Sequence, residues 1–331
     1  MSADRVGAAP VRSAPELIGR TTQVEAPATI ANLGAGYDCL GLAVDLPLRV
    51  TVEATAPGSD PSAIDLTVEG DCVGELPEDR SNRFVVALEA GLAEVGFADL
   101  EAVGWRIRMS NPIPLERGLG SSAAATVAGV VAAYALADRA VDQDAALRIA
   151  TRIEGHPDNV APGLLGGLVA SIALDGRVEA VRLDPPRGVV VVAWIPERKL
   201  PTSEMRRVLP DAVPRADAIA NLARVAVGVA GLASGRTDVL RLLTEDRLHE
   251  PYRAAVYPEL PRLVAAAREA GALGACLAGA GSTIVAFVDA SDESAADRVG
   301  AAFRTTAATL GQPGRLQAFT PRADGTRVTS R

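Results

Sequence analysis

The segment that most restricts the fold of this chain is PIPLERGLGSSAAATVAGVVAAYAL, residues 112–136. Gly118 and Gly120 permit a tight turn and leave backbone N–H groups uncovered. Ser121 and Ser122 follow where the alanine-rich run predicts that a helix begins. Uncovered amides, the positive end of a helix dipole and two hydroxyl groups are typical of a phosphate-binding site. The segment therefore predicts a strand end, a glycine turn and a helix arranged around an anion.

The glycine turn does not match two common nucleotide-binding motifs. A Walker A loop has a lysine after its second glycine, and the dinucleotide fingerprint has a third glycine at a fixed place; this turn has neither. A bare GLG sequence could equally be a helix start that packs against a sheet. The two serines and the alanine run that follow favour phosphate binding.

Composition and charge limit the class of protein. A chain of 331 residues is long enough for two domains, and 48% hydrophobic with 3% aromatic residues predicts a core of Ala, Val and Leu. The net charge of −8 argues against nucleic acid or an anionic membrane as partner. Cys39, Cys72 and Cys276 form no CxxC pair, which indicates free thiols in a reducing compartment, and two histidines are too few for a histidine-rich metal site.

Neither the N-terminal residues nor any apolar run predicts a membrane or export signal. Residues 1–22 lack the apolar stretch of a signal peptide, so we expect a flexible N-terminal extension. The longest apolar run, residues 127–137, is too short to span a bilayer. We therefore expect a cytoplasmic protein. The oligomeric state stays open, with a homodimer as one option.

Hydrophobic periodicity predicts an α+β fold. Alternating positions predict strands at residues 23–30, 42–54, 64–68, 105–109 and 189–195. Helical spacing predicts helices at residues 83–94, 142–154, 216–233, 258–270 and 295–310. Residues 275–288 predict a strand, a glycine turn and a second strand. The DPPR sequence at 184–187 stops regular structure, so it marks the predicted boundary between domains of residues 23–184 and 185–331.

Three segments resemble, in order and spacing, the motifs of the GHMP kinases, which include galactokinases, homoserine kinases and mevalonate kinases. They are ATIANLGAGYD at 28–38, the segment at 112–124, and LAGAGST at 277–283. EGHPDNVAP at 154–162 and LHEPYR at 248–253 are similar to the homoserine kinases of that family. The resemblance covers about residues 23–290. It implies a two-domain GHMP kinase fold, with a ribosomal protein S5 domain 2-like N-terminal domain, a ferredoxin-like C-terminal domain and the active site between them.

ATP and Mg²⁺ are the cofactors that the resemblance implies. The implied nucleotide-binding residues are Asn82, which would contact adenine, and Pro112, Ile113, Pro114, Leu115, Glu116, Arg117, Gly118, Leu119, Gly120, Ser121 and Ser122. Ser122 and Glu154 are the implied metal ligands. Glu154 ends a predicted helix, where the dipole disfavours a carboxylate unless a cation lies nearby.

The HPDN turn carries the catalytic residues that the resemblance implies. Asn159 would orient the attacking hydroxyl, and His156 would contact the substrate. Asp158 occupies the place of a catalytic aspartate in some relatives, although hydroxyl positioning can suffice for phosphoryl transfer. Taken alone, this tetrapeptide reads as a capped turn.

Further implied contacts would bind the charged groups of an amino-acid substrate. Asn32 and Asp38 would meet its ammonium group, although alone they read as an Asx turn. Arg206 and Arg253 would clamp its carboxylate, because arginine is the bidentate partner of that group. Thr202 and Gly279 are the remaining implied substrate contacts. Arg207 is an alternative to Arg206 as the carboxylate partner.

Four positions depart from the usual family sequence. Ala278 stands where serine is common and Ser282 where proline is common, and Ala35 and Tyr37 are milder departures. Without that proline we expect a looser third motif.

The resemblance implies ATP-dependent phosphorylation of the L-homoserine hydroxyl, a step of threonine biosynthesis. A kinase of mevalonate or a sugar is an alternative within the family, but it would not need two arginines directed at a carboxylate. A regulatory protein that binds nucleotide without catalysis is an alternative of another class. The presence together of Ser122, Glu154, Asp158 and Asn159 argues against it.

Overall fold

Two β-sheets form the centre of the structure, a computed structural model in which residues 11–330 are described. The strands are β1 Arg12–Ser13, β2 Thr21–Ala31, β3 Leu40–Thr55, β4 Asp65–Gly70, β5 Phe97–Ala98, β6 Gly104–Asn111, β7 Leu168–Leu174, β8 Arg177–Leu183, β9 Val189–Pro196, β10 Gly274–Leu277, β11 Ile284–Asp289, β12 Gly314–Phe319 and β13 Arg327–Ser330. The helices are α1 Arg83–Glu94, α2 Ser121–Leu136, α3 Gln143–Glu154, α4 Val160–Leu165, α5 Thr202–Arg207, α6 Arg215–Ala233, α7 Leu240–Leu243, α8 Glu250–Arg253, α9 Leu260–Glu269 and α10 Ala295–Thr309. The predicted α+β fold is confirmed.

The first sheet has seven strands and belongs mainly to the N-terminal half. Its order is β13-β2-β3-β6-β4, and β7 and β8 extend from β3. Strand β3 is 16 residues long, and pairs with β7 near its start and with β6 near its end. Helix α2 is almost wholly buried and contacts α1, α3 and β2. Its small residues suit this crowded position, because close neighbours leave little room for side chains.

The second sheet has the order β10-β11-β9-β12 and is antiparallel throughout. Helix α9 precedes β10, and α10 connects β11 to β12, which makes the ferredoxin-like arrangement that the family resemblance implied. Alternate residues of β9 point to opposite faces of the sheet and pack into two different hydrophobic clusters. Val191 and Ala193 pack with residues of the first domain, whereas Val192 and Trp194 pack with α9 and α10. The two domains therefore share one continuous core.

Both ends of the described chain pack against the first domain. The predicted extension reached residue 22, but Ala14 and Leu17 are fully buried, so this part of it belongs to the domain. Residues 1–10 lie outside the described residues. Strand β13 pairs with β2, although the sequence places it in the C-terminal domain. Edge-strand pairing depends on tertiary contacts, so periodicity could not reveal it. The boundary at residue 184 stays a prediction.

Helix α6 is unlike the other helices of residues 11–330 in one respect. By length and composition alone it could cross a membrane, a test that helices of water-soluble proteins also pass. Only 11% of its apolar window is buried within the protein.

Candidate active site

A cleft of about 710 Å³ lies between the domains and collects nearly all the predicted site residues. Those that line it are Asn32, Asp38, Asn82, Pro114, Leu115, Glu116, Arg117, Gly118, Leu119, Gly120, Ser121, Ser122, Glu154, His156, Asp158, Asn159, Thr202, Arg206, Arg253 and Gly279. Pro112 and Ile113 do not line it, and Ile113 is buried in the core. The assignment of these two residues as nucleotide contacts stays a prediction, and their position outside the lining of the cleft argues against it.

The glycine turn enters helix α2 with its amides facing the cleft. Gly118 and Gly120 have φ angles of 77° and 72°, in the left-handed region that glycine adopts without strain. Gly120 caps the helix, and Ser121 is its first residue. Within residues 11–330, no backbone amide from 118 to 123 donates a hydrogen bond to another protein atom. These uncovered donors at the positive end of a helix form the predicted anion site.

The second domain closes directly onto the glycine turn. A Cβ on Gly118 would lie 2.0 Å from the carbonyl oxygen of Ala278, so only glycine allows this approach. The guanidinium of Arg117 donates to the carbonyl oxygens of Pro196 at 2.8 Å and Glu197 at 2.7 Å. Arg117 therefore joins the turn to the second domain instead of extending into the cleft as a free cation.

Glu154 is anchored beside the start of α2. Its Oε1 accepts hydrogen bonds from Ser122 Oγ at 2.9 Å and from Thr126 Oγ1 at 2.6 Å. Arg83 Nε lies 3.6 Å from the same oxygen. Among the described residues, Oε2 has no hydrogen-bond partner. A hydroxyl and a carboxylate oxygen are hard donors of the kind that Mg²⁺ prefers.

The HPDN turn holds its side chains in a hydrogen-bonded chain. Asp158 is buried, and its Oδ1 lies 2.5 Å from His156 Nδ1 and accepts the Asn159 amide at 2.9 Å. The hydrogen bond to Asp158 raises the pKa of His156, since it favours the imidazolium. Asn159 Oδ1 accepts from Thr29 Oγ1 at 2.7 Å. This leaves the amide group of Asn159 free to donate toward the cleft.

Asp38 and Arg206 form a bidentate ion pair across the mouth of the cleft. Arg206 donates to both carboxylate oxygens of Asp38, at 2.9 and 2.8 Å, and to Tyr37 Oη at 2.9 Å. Hydrogen bonding to Asp38 raises the pKa of Arg206. Arg207 is exposed and does not line the cleft, so its position favours Arg206 over this predicted alternative.

Arg253 is a buried cation without a carboxylate partner among the described residues, and only 1% of it is exposed. It donates to the carbonyl oxygens of Gly279 at 2.9 Å and Met205 at 3.2 Å, and to His249 Nδ1 at 2.9 Å. Desolvation lowers the pKa of Arg253. A buried guanidinium that faces a cleft without a counter-ion is a site for an anion.

His249 accepts a hydrogen bond from Arg253, and the neighbouring Glu250 is bonded to the strand that leads into the third motif. Burial lowers the pKa of His249 to about 4, so its ring is neutral. Its Nδ1 accepts from Arg253, so the proton is on Nε2, which donates to Gly34 O at 2.9 Å. Desolvation raises the pKa of Glu250 to about 8, and Oε1 of this carboxyl accepts the Leu277 amide at 2.7 Å.

The side chains of Asn32 and Asn82 already form hydrogen bonds within the protein. Asn32 Oδ1 accepts the Asp38 amide at 3.0 Å, and its Nδ2 donates to Gly279 O at 2.8 Å. Asn82 caps α1 by accepting the amide of Phe84 at 3.0 Å and donates to Pro77 O. Both asparagines line the cleft, but in this structure Asn32 stabilises the turn before Asp38 and Asn82 caps a helix.

The altered third motif is held by its own side chain. Ser282 is buried, its Oγ donates to Arg198 O at 2.5 Å, and its carbonyl oxygen accepts from Tyr257 Oη at 3.0 Å. These bonds secure the loop where the usual proline is absent. These contacts give no sign of the looser third motif that the sequence led us to expect.

Three residues near the site were not singled out from the sequence as site residues. Thr126 follows Ser122 by one helical turn, so the spacing on α2 could have indicated a second hydroxyl beside Glu154. Tyr37 lies between Arg206 and Arg253, with guanidinium carbons 5.8 and 5.5 Å from its ring centre. Thr29 could not have been found, because its contact with Asn159 joins residues 130 positions apart.

Comparison with known proteins gives consistent family matches. The model of the GHMP kinases N terminal domain matches residues 82–167, and that of the GHMP kinases C terminal domain matches residues 229–308. The homoserine kinase of Moorella thermoacetica is 41% identical over 264 residues, which are 80% of this chain and 86% of that protein. The homoserine kinase of Thermus thermophilus is 42% identical over 84% of this chain and 90% of that protein.

Solved structures show the same likeness in three dimensions. The crystal structure of homoserine kinase from Cytophaga hutchinsonii has a TM-score of 0.81 at 31% identity, over 93% of this chain and 97% of that one. The mevalonate kinase of L. major, solved with R-mevalonate, has a TM-score of 0.70 at 16% identity, over 93% and 98%. At that identity the second match shows a shared fold alone.

Replacing Gly118 with alanine tests the close approach of the two domains. Gly118 and Gly74 have φ angles of 77° and 73°, so alanine strains each by roughly 1–2 kcal/mol. Only at Gly118 would the new Cβ meet a carbonyl oxygen; at Gly74 nothing lies within 4 Å. We expect Gly118→Ala to lower the free energy of unfolding by about 2 kcal/mol more than Gly74→Ala, measured by urea unfolding. Equal losses would contradict the contact.

Replacing Glu250 with glutamine tests whether its carboxyl is neutral. In the folded protein it ionises near pH 8, and in the unfolded chain near pH 4.5. A raised carboxyl pKa gives stability that is complete below pH 4.5 and is lost as pH rises toward 8. As the pH rises from 5 to 8, we therefore expect the free energy of unfolding of Glu250→Gln to increase by about 1 kcal/mol or more relative to that of the natural protein. Thermal unfolding at each pH measures this difference.

The matched control for that variant is Glu269→Gln, which changes an exposed carboxylate at the end of α9. Its difference from the natural protein should not vary with pH. If the difference in stability between Glu250→Gln and the natural protein is equally independent of pH, the Glu250 carboxyl is ionised at neutral pH.

Proposed function

The chain belongs to the GHMP kinase family, and we propose that it transfers the terminal phosphoryl group of ATP to the side-chain hydroxyl of L-homoserine, forming O-phospho-L-homoserine and ADP. The observation that carries this proposal is the pair of guanidiniums, Arg206 and Arg253, in the cleft that the glycine turn also lines. The relatives named homoserine kinases, at 41% and 42% identity, support the same substrate.

The phosphate groups of ATP would lie on the uncovered amides of residues 118 to 123, for which the protein itself supplies no acceptor. The charge of a helix N-terminus adds to these hydrogen bonds. Asn82 stays a proposed contact to adenine, with its side chain at the cleft wall and its structural bonds intact.

Ser122 and Glu154 would hold Mg²⁺. Their oxygens are hard donors 2.9 Å apart beside the glycine turn, and Glu154 Oε2 has no other partner among the described residues. When bound, Mg²⁺ neutralises charge on the transferring phosphoryl group. Thr126 fixes the orientation of Glu154 through its hydrogen bond at 2.6 Å.

The zwitterionic head of homoserine matches the charges of Asp38, Arg206 and Arg253, which all line the cleft. Its ammonium group would bind Asp38, and its carboxylate would bind Arg206 and Arg253, with Thr202 nearby. Asp38 and Arg206 pair with each other here, so the substrate would replace one ion pair by two. Asn32 would position this site, because it holds both the Asp38 amide and the Gly279 carbonyl.

The reacting hydroxyl would be oriented by the free amide of Asn159. Asp158 is held by contacts within the turn, since its Oδ1 already accepts from the Asn159 amide and contacts His156. Phosphoryl transfer relies mainly on alignment and on stabilisation of charge, so positioning by Asn159 and His156 suffices for the step.

The proposal includes the setting of the enzyme. We place it in the cytoplasm and in threonine biosynthesis because its relatives are named homoserine kinases. The net charge of −8 argues against nucleic acid or an anionic membrane as partner. A homodimer is part of the proposal. A kinase of mevalonate or a sugar is disfavoured, because neither substrate needs both an ammonium site and two guanidiniums.

Substrate analogues test the proposal directly in an assay of ADP release. L-homoserine should be phosphorylated, whereas 3-aminopropan-1-ol, which lacks the carboxylate, and 4-hydroxybutanoate, which lacks the ammonium group, should lose at least about 100-fold in kcat/KM. Mevalonate and galactose should not be turned over. Equal turnover of homoserine and mevalonate, or no turnover of any of them, would contradict the proposed substrate.

Arg206→Ala should raise the KM for homoserine by about 10- to 100-fold, because a charge-assisted hydrogen bond contributes roughly 1.5–3 kcal/mol. The KM for ATP should stay unchanged, since Arg206 donates to Tyr37 and Asp38 and makes no hydrogen bond to the glycine turn among the described residues. Arg207→Ala is the matched control, because its side chain is exposed and outside the cleft. Similar homoserine KM values for the two variants would exclude Arg206 as a carboxylate contact.

Glu154→Gln should lower kcat by about 100-fold or more, a loss of roughly 2.7 kcal/mol, and raise the Mg²⁺ concentration needed for half-maximal rate. Glutamine keeps the size of the side chain but removes its charge. Glu101→Gln, at an exposed position outside the cleft, should leave both values unchanged. An unaltered Mg²⁺ requirement in Glu154→Gln would show that the metal is held elsewhere.

A further inference from the structure

Thr29 lies where two turns of the cleft meet. It is on β2 and is fully buried. Its amide donates to the carbonyl oxygen of Leu119 in the glycine turn at 3.1 Å. Its hydroxyl donates to Oδ1 of Asn159 in the HPDN turn at 2.7 Å. One buried residue is therefore bonded both to the proposed phosphate site and to the side chain proposed to orient the substrate hydroxyl.

Gly120 leaves the room in which the hydrogen bond between Thr29 and Asn159 forms. A Cβ on Gly120 would lie 2.0 Å from Thr29 Oγ1 and 3.1 Å from Asn159 Oδ1. The glycine turn, the threonine hydroxyl and the asparagine amide are thus packed directly against one another. In an interior packed this closely, a shift of one group is transmitted to its neighbours.

Asn159 gives up a common structural role to make this bond. It is the N-cap residue of α4, a position at which asparagine usually accepts a hydrogen bond from a backbone amide of the first turn. Its side chain makes no such bond here. Its Oδ1 atom accepts from Thr29 instead, which fixes the orientation of the amide group.

Burial determines the direction of this hydrogen bond. Asn159 is the one hydrogen-bond partner of Thr29 Oγ1 among residues 11–330. If the amide were reversed, Nδ2 would donate to Oγ1, and the buried hydroxyl hydrogen would have no acceptor, which costs free energy. Thr29 is therefore the donor, and Nδ2 of Asn159 is left for a ligand in the cleft that Asn159 lines.

The methyl group of Thr29 restricts the hydroxyl further. Because threonine is branched at Cβ, its side chain has few rotamers. The methyl carbon lies toward α4, where a Cβ on Gly163 would be 3.8 Å away from it. With the methyl group on that side, the hydroxyl is directed at Asn159.

We propose that Thr29 is a positioning residue for phosphoryl transfer. Its hydroxyl holds the Asn159 amide so that Nδ2 faces the cleft at a fixed distance from the glycine turn. This role rests on the proposed function, because it requires a substrate hydroxyl and a phosphoryl group in the cleft. Thr29 does not line the cleft, so it acts through Asn159.

The reaction requires alignment at this point. The substrate oxygen bonds to the terminal phosphorus of ATP, the bond from that phosphorus to the ADP oxygen breaks, and the hydroxyl proton is finally released to water. The NH₂ group of an asparagine cannot accept that proton, so its contribution is to hold the oxygen in line. A misplacement of about 1 Å can lower the rate about 100-fold.

Thr29→Val tests the hydroxyl, because valine keeps the branched shape but has no hydrogen to donate. With L-homoserine and ATP, we expect kcat to fall by about 10- to 100-fold in an assay of ADP release. The KM values for homoserine and ATP should change by less than about threefold, since the proposed contacts to the charged head and the phosphates remain. Thr29→Ser keeps the hydroxyl, and its kcat should stay within about threefold of the natural value.

Thr22→Val is the matched control on the same strand. Thr22 is also buried, with 1% of its surface exposed, and its hydroxyl donates to Ser330 O at 3.0 Å, outside the cleft. Each valine variant loses one hydrogen bond from a buried threonine, so urea unfolding should show similar losses of stability. Only Thr29→Val should lose kcat.

A double-mutant cycle tests whether Thr29 acts through Asn159. Asn159→Ala should lower kcat at least as much as Thr29→Val does. Adding Thr29→Val to Asn159→Ala should cost less than about a further twofold, because the group that Thr29 holds is then gone. Two independent effects would multiply instead.

Two results would overturn the role of Thr29 and leave the proposed function intact. One is a natural protein that phosphorylates homoserine while Thr29→Val has the same kcat as Thr22→Val. The other is a kcat loss that multiplies in the double variant or that Thr29→Ser does not restore, since packing would then explain it.

Failure of the proposed function gives a different result. If the natural protein phosphorylates another alcohol instead, the proposed substrate is wrong, and the same comparison of variants on that alcohol decides the role of Thr29. A natural protein that phosphorylates no alcohol would overturn both proposals.

Discussion

The contact between the glycine turn and the third motif is the constraint on which the cleft depends. Gly118 and the carbonyl of Ala278 approach so closely that no side chain fits between them. Arg117 reinforces the contact by donating to two carbonyl groups of the second domain. The phosphate-binding amides are therefore held by both domains, and any change in the domain angle would move them. This explains how a loop with few side-chain contacts can keep one geometry.

The predicted carboxylate site is organised by a buried charge. Arg253 has no carboxylate partner within the described residues, and neutral His249 and two backbone carbonyls solvate it instead. Gly279 O accepts from both Arg253 and Asn32, so the third motif joins the anion turn to the predicted carboxylate site. An uncompensated buried cation costs free energy in the empty cleft. That cost is recovered when an anionic group binds, which favours a substrate with a carboxylate.

Much of the fold could be predicted from sequence, because its long elements have strong periodicity. Helix α1 and strand β9 lie where the pattern placed them. Strand β8 and the last strand, β13, were not predicted, since short exposed strands alternate weakly and take their register from neighbours. In the site, Ser122 and Glu154 were predicted together and do meet. The roles of the remaining site residues stay predictions, because nothing in the empty cleft tests which of them bind a ligand.

The sequence by itself determined the local chemistry: a glycine turn at a helix start, a carboxylate at a helix end, and ordered motifs that place the chain in its family. These features depend on residues that are close along the chain, so spacing alone expresses them. Only the tertiary structure decided which polar atoms were already used. It engaged Asn32 and Asn82 in structural bonds, directed Arg117 to the second domain and left one side of α6 uncovered. The reason is physical: hydrogen bonds and burial depend on neighbours distant in sequence, which periodicity does not specify.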